Sequence, residues 1–160
     1  MVDEHGAPSE TKKARDNREL IELLNEIRVV IPGVQVLFAF LFAAPFASGW
    51  SNVTHVQSRV YLAAFLCAAA ATALLIAPTT YHRLTFRRGR REKERLLHYA
   101  NRAFLAGTFM LAAAISLSIF VVTAVVVSDG WAALTAASVE LMLLALWYAL
   151  PLALRGSIEG

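Results

Sequence analysis

The hydrophobic positions of this chain fall into long runs that are nearly free of charge and are separated by polar segments. Four such runs lie at about residues 29–47, 60–80, 103–128 and 131–154. About 20 apolar residues in a helix match a hydrocarbon core about 30 Å thick, so each run is long enough to cross a bilayer. The pattern predicts an all-α integral membrane protein, with a four-helix transmembrane bundle over residues 29–155.

A helical period of hydrophobic positions also precedes the first run. Within residues 16–31, apolar residues recur on one face and polar residues lie opposite; the apolar set includes Leu20, Leu23, Leu24 and Ile27. This predicts an N-terminal cytoplasmic amphipathic helix at the membrane surface or against the protein's own basic loop. Residues 1–15 are polar and are expected to form a disordered tail. We expect Pro32-Gly33 to interrupt the helix and to kink the chain at the bilayer.

Composition and charge placement extend this picture. Hydrophobic residues make up 58% of the 160 residues, and the net charge is +3. Because the four hydrophobic runs take up most of the chain, little of it remains for a separate soluble domain. The bases precede the first run, lie between the second and third runs, or follow the fourth; Arg59 is the exception. Because short cytoplasmic loops retain Lys and Arg, this asymmetry predicts that both termini are cytoplasmic. Asp129-Gly130 is predicted to form the tight turn between the last two runs.

Glu140 is an acid about three helical turns inside the fourth run. Even low estimates place the cost of a central acid at a few kcal/mol, so an intramembrane acid is a functional hypothesis. Its helical neighbours Ala133, Ala136 and Ala137 indicate a helix interface. Three interpretations remain open: a protonated or hydrogen-bonded acid that fixes helix packing, a proton or cation site, and a group exposed to water.

Other residues within the runs are candidates of a weaker kind. Gln35 lies about two turns inside the first run and is expected to bond another helix or to contact a pore. Cys67, the single cysteine, is expected to act as a small buried hydrophobe. Four hydroxyls of the third run either line a polar seam or bond back to their own helix, which is the favoured interpretation: Thr108, Ser116, Ser118 and Thr123.

The segment between the second and third runs is the most basic part of the chain. Such a cluster beside a span orients the protein and also holds anionic lipid headgroups at about 1 kcal/mol per base. The candidate headgroup-binding residues are Arg87, Arg88, Arg90, Arg91, Lys93 and Arg95. No base-stacking aromatic residues interleave with them, so we expect no nucleic-acid binding. Its second half, Glu92–Arg102, is predicted to be helical and to continue into the third span.

Motifs of known chemistry are absent from the sequence. It contains no Gly-rich phosphate loop, no nucleophile elbow and no zinc-binding HExxH pair. His82 and His98 flank the basic segment without a Cys or a matched acid pair, so no metal site is expected. The chain is therefore expected to be no enzyme and to need no cofactor.

A resemblance to known proteins is carried by three segments: Glu22–Val29, Gly33–Leu41 and Ala77–Arg83. They resemble an uncharacterised family of small four-span membrane proteins from actinobacteria, and the resemblance covers about residues 18–125. It implies a location in the bacterial inner membrane and brings no mechanism with it.

Two functions follow as hypotheses. The first is a homo-oligomer with channel-like transport of protons or small cations, in which Glu140 titrates or coordinates and Gln35 is a secondary contact. The alternative is a non-catalytic accessory or scaffold protein that binds a partner or anionic lipid through its amphipathic helix and basic loop.

Overall fold

The computed structural model describes residues 12–48, 50–85 and 90–158, and every long element in them is a helix. Four helical segments are long and apolar enough to cross a membrane. They are Ile21–Phe46, His55–Tyr81, Leu96–Val126 and Asp129–Leu154. The predicted all-α fold with four membrane-spanning helices is therefore confirmed.

Helix α1 runs from Lys12 to Ala43 and joins the amphipathic segment to the first span. Residues 12–15, expected in a disordered tail, are its first turn, and residues 1–11 lie outside the described part of the chain. The expected interruption at Pro32 is wrong, because Pro32 lies inside the helix. Proline removes one backbone hydrogen bond of the helix, and a membrane helix tolerates this loss where neighbouring groups compensate for it. A bend at Pro32 without loss of the helix therefore remains a prediction.

The remaining spans follow α2 (His55–Thr85), α3 (Arg90–Val126) and α4 (Asp129–Leu144). α3 passes unbroken from the basic segment into the third span, as predicted. After α4, a π-helical turn (Ala145–Ala149) leads into α5 (Leu150–Ile158). We call the end where α2 finishes and α3 begins the basic end, and the opposite end the turn end.

The turn between α3 and α4 differs from the prediction. Asp129 and Gly130 belong to the first turn of α4, and the connection consists of Val127 and Ser128. Ala132 N–H donates to the Ser128 carbonyl at 3.0 Å, which closes the first helical turn. A carboxylate is favourable at a helix N-terminus because the unpaired N–H groups there carry partial positive charge. Asp129 therefore begins the helix instead of serving as a turn residue.

Helix α3 contacts each of the other spans, and its pairing with α2 is the most extensive. Small residues allow this approach: Ala64, Ala68 and Ala71 of α2 are fully buried. A Cβ atom added at Gly107 of α3 would lie 2.9 Å from Cγ of Leu75. The alanine-rich second span thus packs closely on α3, because small side chains let two helix backbones approach.

The fourth span is the least enclosed of the four. Among the described residues, no Cα atom of α4 lies within 8 Å of one in α1 or α2, so α4 packs along α3 alone. From the π-helical turn onward, the backbone no longer approaches α3 within that distance. The fourth span therefore diverges from α3 toward the basic end.

Candidate site around Glu140

Glu140 lies on the side of α4 that faces α3. The Ser116 hydroxyl donates a hydrogen bond to Oε2 of Glu140, with an Oγ to Oε2 distance of 2.8 Å. Ser116 is 5% exposed, whereas Glu140 is half-buried. The prediction that Glu140 lies in a helix interface is confirmed on this side of the carboxyl group.

The two residues lie at similar distances from the turn end. Glu140 is eleven residues after the first residue of α4, and Ser116 is ten residues before the last residue of α3. At 1.5 Å per residue, both lie about 15 Å from the turn end, or half of a core about 30 Å thick. The carboxyl group is thus placed where membrane burial costs most.

The single cysteine of the chain, Cys67, lies on α2. Its side chain is half-buried. It is twelve residues from the start of α2, hence about 18 Å from the turn end. Cys67 packs against a hydrophobic cluster formed by Leu41, Ala64, Ala68 and Ala114, which supports its expected role as a small hydrophobe.

The other side of Glu140 is open within a single chain. Of its alanine neighbours, Ala136 is half-buried, and Ala133 and Ala137 are exposed. Ala132 is the buried residue of α4. The small-residue face therefore covers the acid only in part, and the uncovered part points away from the described bundle.

Gln35 does not join this site. Its side chain is exposed on α1, and α1 and α4 do not pack against each other. Among the described residues it makes no hydrogen bond to another helix of the same chain. A bond to a second copy of the chain remains a prediction.

The basic residues predicted to bind lipid headgroups are largely beyond what the structure describes. Arg87 and Arg88 lie outside the described residues. Arg90, Arg91, Lys93 and Arg95 belong to the first turns of α3, and their side chains are likewise outside the description. Their role in binding anionic lipid stays a prediction.

Two of the four candidate hydroxyls of α3, those of Thr108 and Ser118, bond back to their own helix. Thr108 Oγ1 donates to the carbonyls of Phe104 and Leu105, and Ser118 donates to that of Ala114. These bonds confirm the favoured interpretation, in which a membrane hydroxyl bonds back to its own helix. Ser116 departs from it because its hydroxyl is used by Glu140.

A cleft opens where the fourth span leaves α3. It has a volume of about 380 Å³ and is lined by Val30, Phe104, Leu105, Thr108, Leu111, Trp147 and Tyr148. The Tyr148 hydroxyl reaches across it and lies 2.7 Å from Thr108 Oγ1 and 2.9 Å from the Leu105 carbonyl. Tyr148 belongs to the π-helical turn, a feature often found at functional positions. The cleft lies between Glu140 and the basic end.

A second polar contact, at the turn end, is not evident from hydropathy. Gln57 Nε2 donates to Oδ1 of Asp129 at 3.1 Å, joining the first turns of α2 and α4. Gln57 also pairs with Thr54 in a reciprocal capping box. The spacing Thr54-His55-Val56-Gln57 is a sequence signature of such a box, which hydropathy alone does not reveal. Nothing in the sequence pattern identifies Asp129 as the partner.

Few side chains that could coordinate a metal ion lie together in the described part of the chain. Within the described part of the chain, no group of at least three His, Cys, Asp or Glu residues is placed to hold a metal ion. The oxygens that meet at Glu140 come from one carboxyl and one hydroxyl. A bare Ca²⁺ or Mg²⁺ ion requires more oxygen ligands than these two groups supply.

Comparison with known proteins identifies a family without an assigned activity. A family described as "Family of unknown function (DUF6328)" matches residues 9–151. The match extends beyond the 18–125 region of resemblance at both ends and confirms the resemblance to an uncharacterised family. No curated protein and no solved structure matches the chain.

Proposed function

Because the chain belongs to DUF6328, a family of unknown function, we propose its activity from the site itself: channel-like passage of protons or small cations through a homo-oligomer, with Glu140 as the titrating group. The observation that carries this proposal is the hydrogen bond from Ser116 to the half-buried carboxyl of Glu140, eleven residues inside α4. An acid at that depth is costly, and it is retained most readily where its charge is used.

The proton is the ion that this geometry favours. One carboxyl oxygen is engaged by Ser116, and the remaining oxygen is available to bind or release a proton. A dehydrated metal cation needs several further oxygens, which intramembrane sites often take from unwound backbone. At Glu140 and Ser116 the backbone is regular α-helix, so its carbonyls are used by the helix.

The open side of Glu140 supports assembly into an oligomer. A lone chain leaves part of the carboxyl, with exposed Ala133 and Ala137, facing the surrounding medium. Small residues allow a neighbouring helix to approach closely, and a second copy brings polar groups of its own, such as the exposed Gln35. In this arrangement the ion passes along the interface between copies, and the cleft at Tyr148 leads from the basic end toward Glu140.

We place the protein in the bacterial inner membrane as a non-enzymatic, multi-pass protein with both termini in the cytoplasm. Support for this orientation comes from the bases, which concentrate at the N-terminus and between the second and third spans. The basic end then faces the cytoplasm.

The test is ion flux into liposomes that contain the purified full-length protein. The wild type should pass protons, Glu140→Gln should abolish the flux, and Ser116→Ala should reduce it. Glu26→Gln is the matched control, because it makes the same chemical change at an exposed acid near the basic end of α1. An absence of flux, or flux that Glu140→Gln leaves intact, would contradict the proposal.

A second function, a scaffold that binds a partner or anionic lipid, is favoured by a different observation. Near the basic end, α1 exposes Glu22, Asn25 and Glu26 and fully buries Ile27. Its apolar face thus packs on the bundle, and its polar face stays available to a partner.

Native mass spectrometry tests the lipid form of this function: wild type should retain phosphatidylglycerol, and replacing the basic segment's arginines with glutamine should remove it. Equal retention would contradict it.

A further inference from the structure

One of the three hydrogen bonds of Gln57 joins two helices, α2 and α4, whose backbones do not approach each other within 8 Å in the described chain. Thr54 N–H donates to Gln57 Oε1 at 3.1 Å, and Gln57 N–H donates to Thr54 Oγ1 at 3.3 Å. The amide oxygen is therefore used by the cap of α2, and the amide nitrogen is left to reach Asp129 of α4. Gln57 is 5% exposed, so its polar groups need these partners.

The connection matters because α4 is otherwise supported from one side. Its backbone packs along α3 and approaches neither α1 nor α2 within 8 Å in the described chain. Contact with a single helix leaves α4 free to roll or slide on α3. A bond from α2 opposes both motions, because it adds a fixed point away from the α3–α4 contact line.

Glu140 is rigidly coupled to that fixed point. Asp129 and Glu140 lie on one uninterrupted α-helix, eleven residues apart, so a displacement or rotation at Asp129 is transmitted to the carboxyl. The bond between Ser116 and Glu140 has a 2.8 Å separation and depends on the rotation of α4 about its own axis. A hydrogen bond of that length tolerates little misplacement.

We infer that Gln57 is a positioning residue for Glu140: with Thr54 and Asp129 it forms a latch at the turn end that keeps the carboxyl bonded to Ser116. This inference rests on the proposed function for its consequence in transport. The claim that the latch maintains the contact between Glu140 and Ser116 does not depend on transport, and it can be measured separately.

The test uses two variants of one residue. Asp129→Ala removes the acceptor of the latch, and Asp129→Asn keeps an acceptor oxygen. Both remove the charge at the N-terminus of α4, so the electrostatic effect on the helix is matched. The readout is the infrared absorption of the Glu140 side chain in reconstituted protein, assigned by its loss in Glu140→Gln. The frequency of the Glu140 band in the absence of the hydrogen bond from Ser116 is measured in the Ser116→Ala variant.

The expected result is a band shift in Asp129→Ala toward the position seen in Ser116→Ala, with Asp129→Asn close to wild type. Proton flux should fall in the same order. An unshifted band in Asp129→Ala, or equal shifts in both variants, would overturn the inference. If the wild type shows no flux, the proposed function fails, and the infrared shifts still decide the role of the latch.

A second pair of variants keeps the test decisive if Asp129→Ala does not fold. Gln57→Leu removes the latch and one half of the capping box, whereas Thr54→Ala weakens the cap and retains the bond from Gln57 to Asp129. The inference expects the band shift in Gln57→Leu and a wild-type band in Thr54→Ala. The opposite result would assign the effect to helix capping and overturn the latch.

Discussion

The Ser116 hydroxyl and the Glu140 carboxyl, 24 positions apart in the chain, meet at 2.8 Å in the middle of the bundle. Ser116 is thereby the partner that makes an intramembrane acid tolerable, and its own helix carbonyls do not receive its proton. The contact joins the fourth span to the third at the depth where an unpaired polar group is most costly.

Separate effects on stability and transport are expected at this pair. Ser116→Ala should lower the free energy of unfolding by about 0.6 kcal/mol, which is typical of an interhelical hydrogen bond in a membrane. Glu140→Gln should leave the free energy of unfolding nearly unchanged, because an amide oxygen still accepts a hydrogen bond from Ser116. The same substitution should abolish proton flux. Reversible unfolding in mixed micelles, alongside the liposome assay, measures both quantities. A large loss of stability in Glu140→Gln would favour a purely structural acid.

A methyl group should be harmful at Gly107 and harmless at Gly33. At Gly107 the added Cβ would lie 2.9 Å from Cγ of the fully buried Leu75, and Gly33 has nothing within 4 Å. Gly107→Ala should therefore cost about 1–3 kcal/mol through overpacking. Gly33→Ala should be neutral or stabilising by up to about 1 kcal/mol, because alanine favours the helix. Unfolding of the two variants side by side tests the close approach of α2 and α3.

The docking of the amphipathic part of α1 is testable with two isoleucines. Ile27 is fully buried, and Ile21 is 60% exposed. Ile27→Ala should lower the free energy of unfolding by about 2 kcal/mol and make the N-terminal part of α1 sensitive to protease. Ile21→Ala should change stability by no more than about 0.5 kcal/mol. Equal effects would mean that this segment rests on lipid and not on the bundle.

Orientation is testable with single cysteines introduced after Cys67→Ala. Arg59→Cys and Glu22→Cys place thiols at exposed positions near the turn end and the basic end, respectively. In spheroplasts, a membrane-impermeant maleimide should label Arg59→Cys directly and Glu22→Cys only after the membrane is opened. The reverse pattern would overturn the predicted cytoplasmic location of the basic end.

The sequence by itself determined the number of spans and their approximate limits. Crossing a bilayer depends on the length and hydropathy of each segment, and both are local properties that add up along the chain. The continuation of Glu92–Arg102 into the third span was predictable because helix propensity is likewise a local property of the sequence. Pro32 and Asp129 were misassigned because their usual roles, helix interruption and turn formation, are tendencies that the surrounding helix overrides.

Only the tertiary structure decided which polar groups meet. Glu140 was evident as a costly acid, but choosing Ser116 from four hydroxyls on α3 requires the rotation of both helices about their axes. The approach of Gln57 to Asp129 and of Gly107 to Leu75 depends in the same way on which helices are neighbours. Hydropathy carries no information about that choice, because every lipid-compatible face of a span is apolar in nearly the same degree.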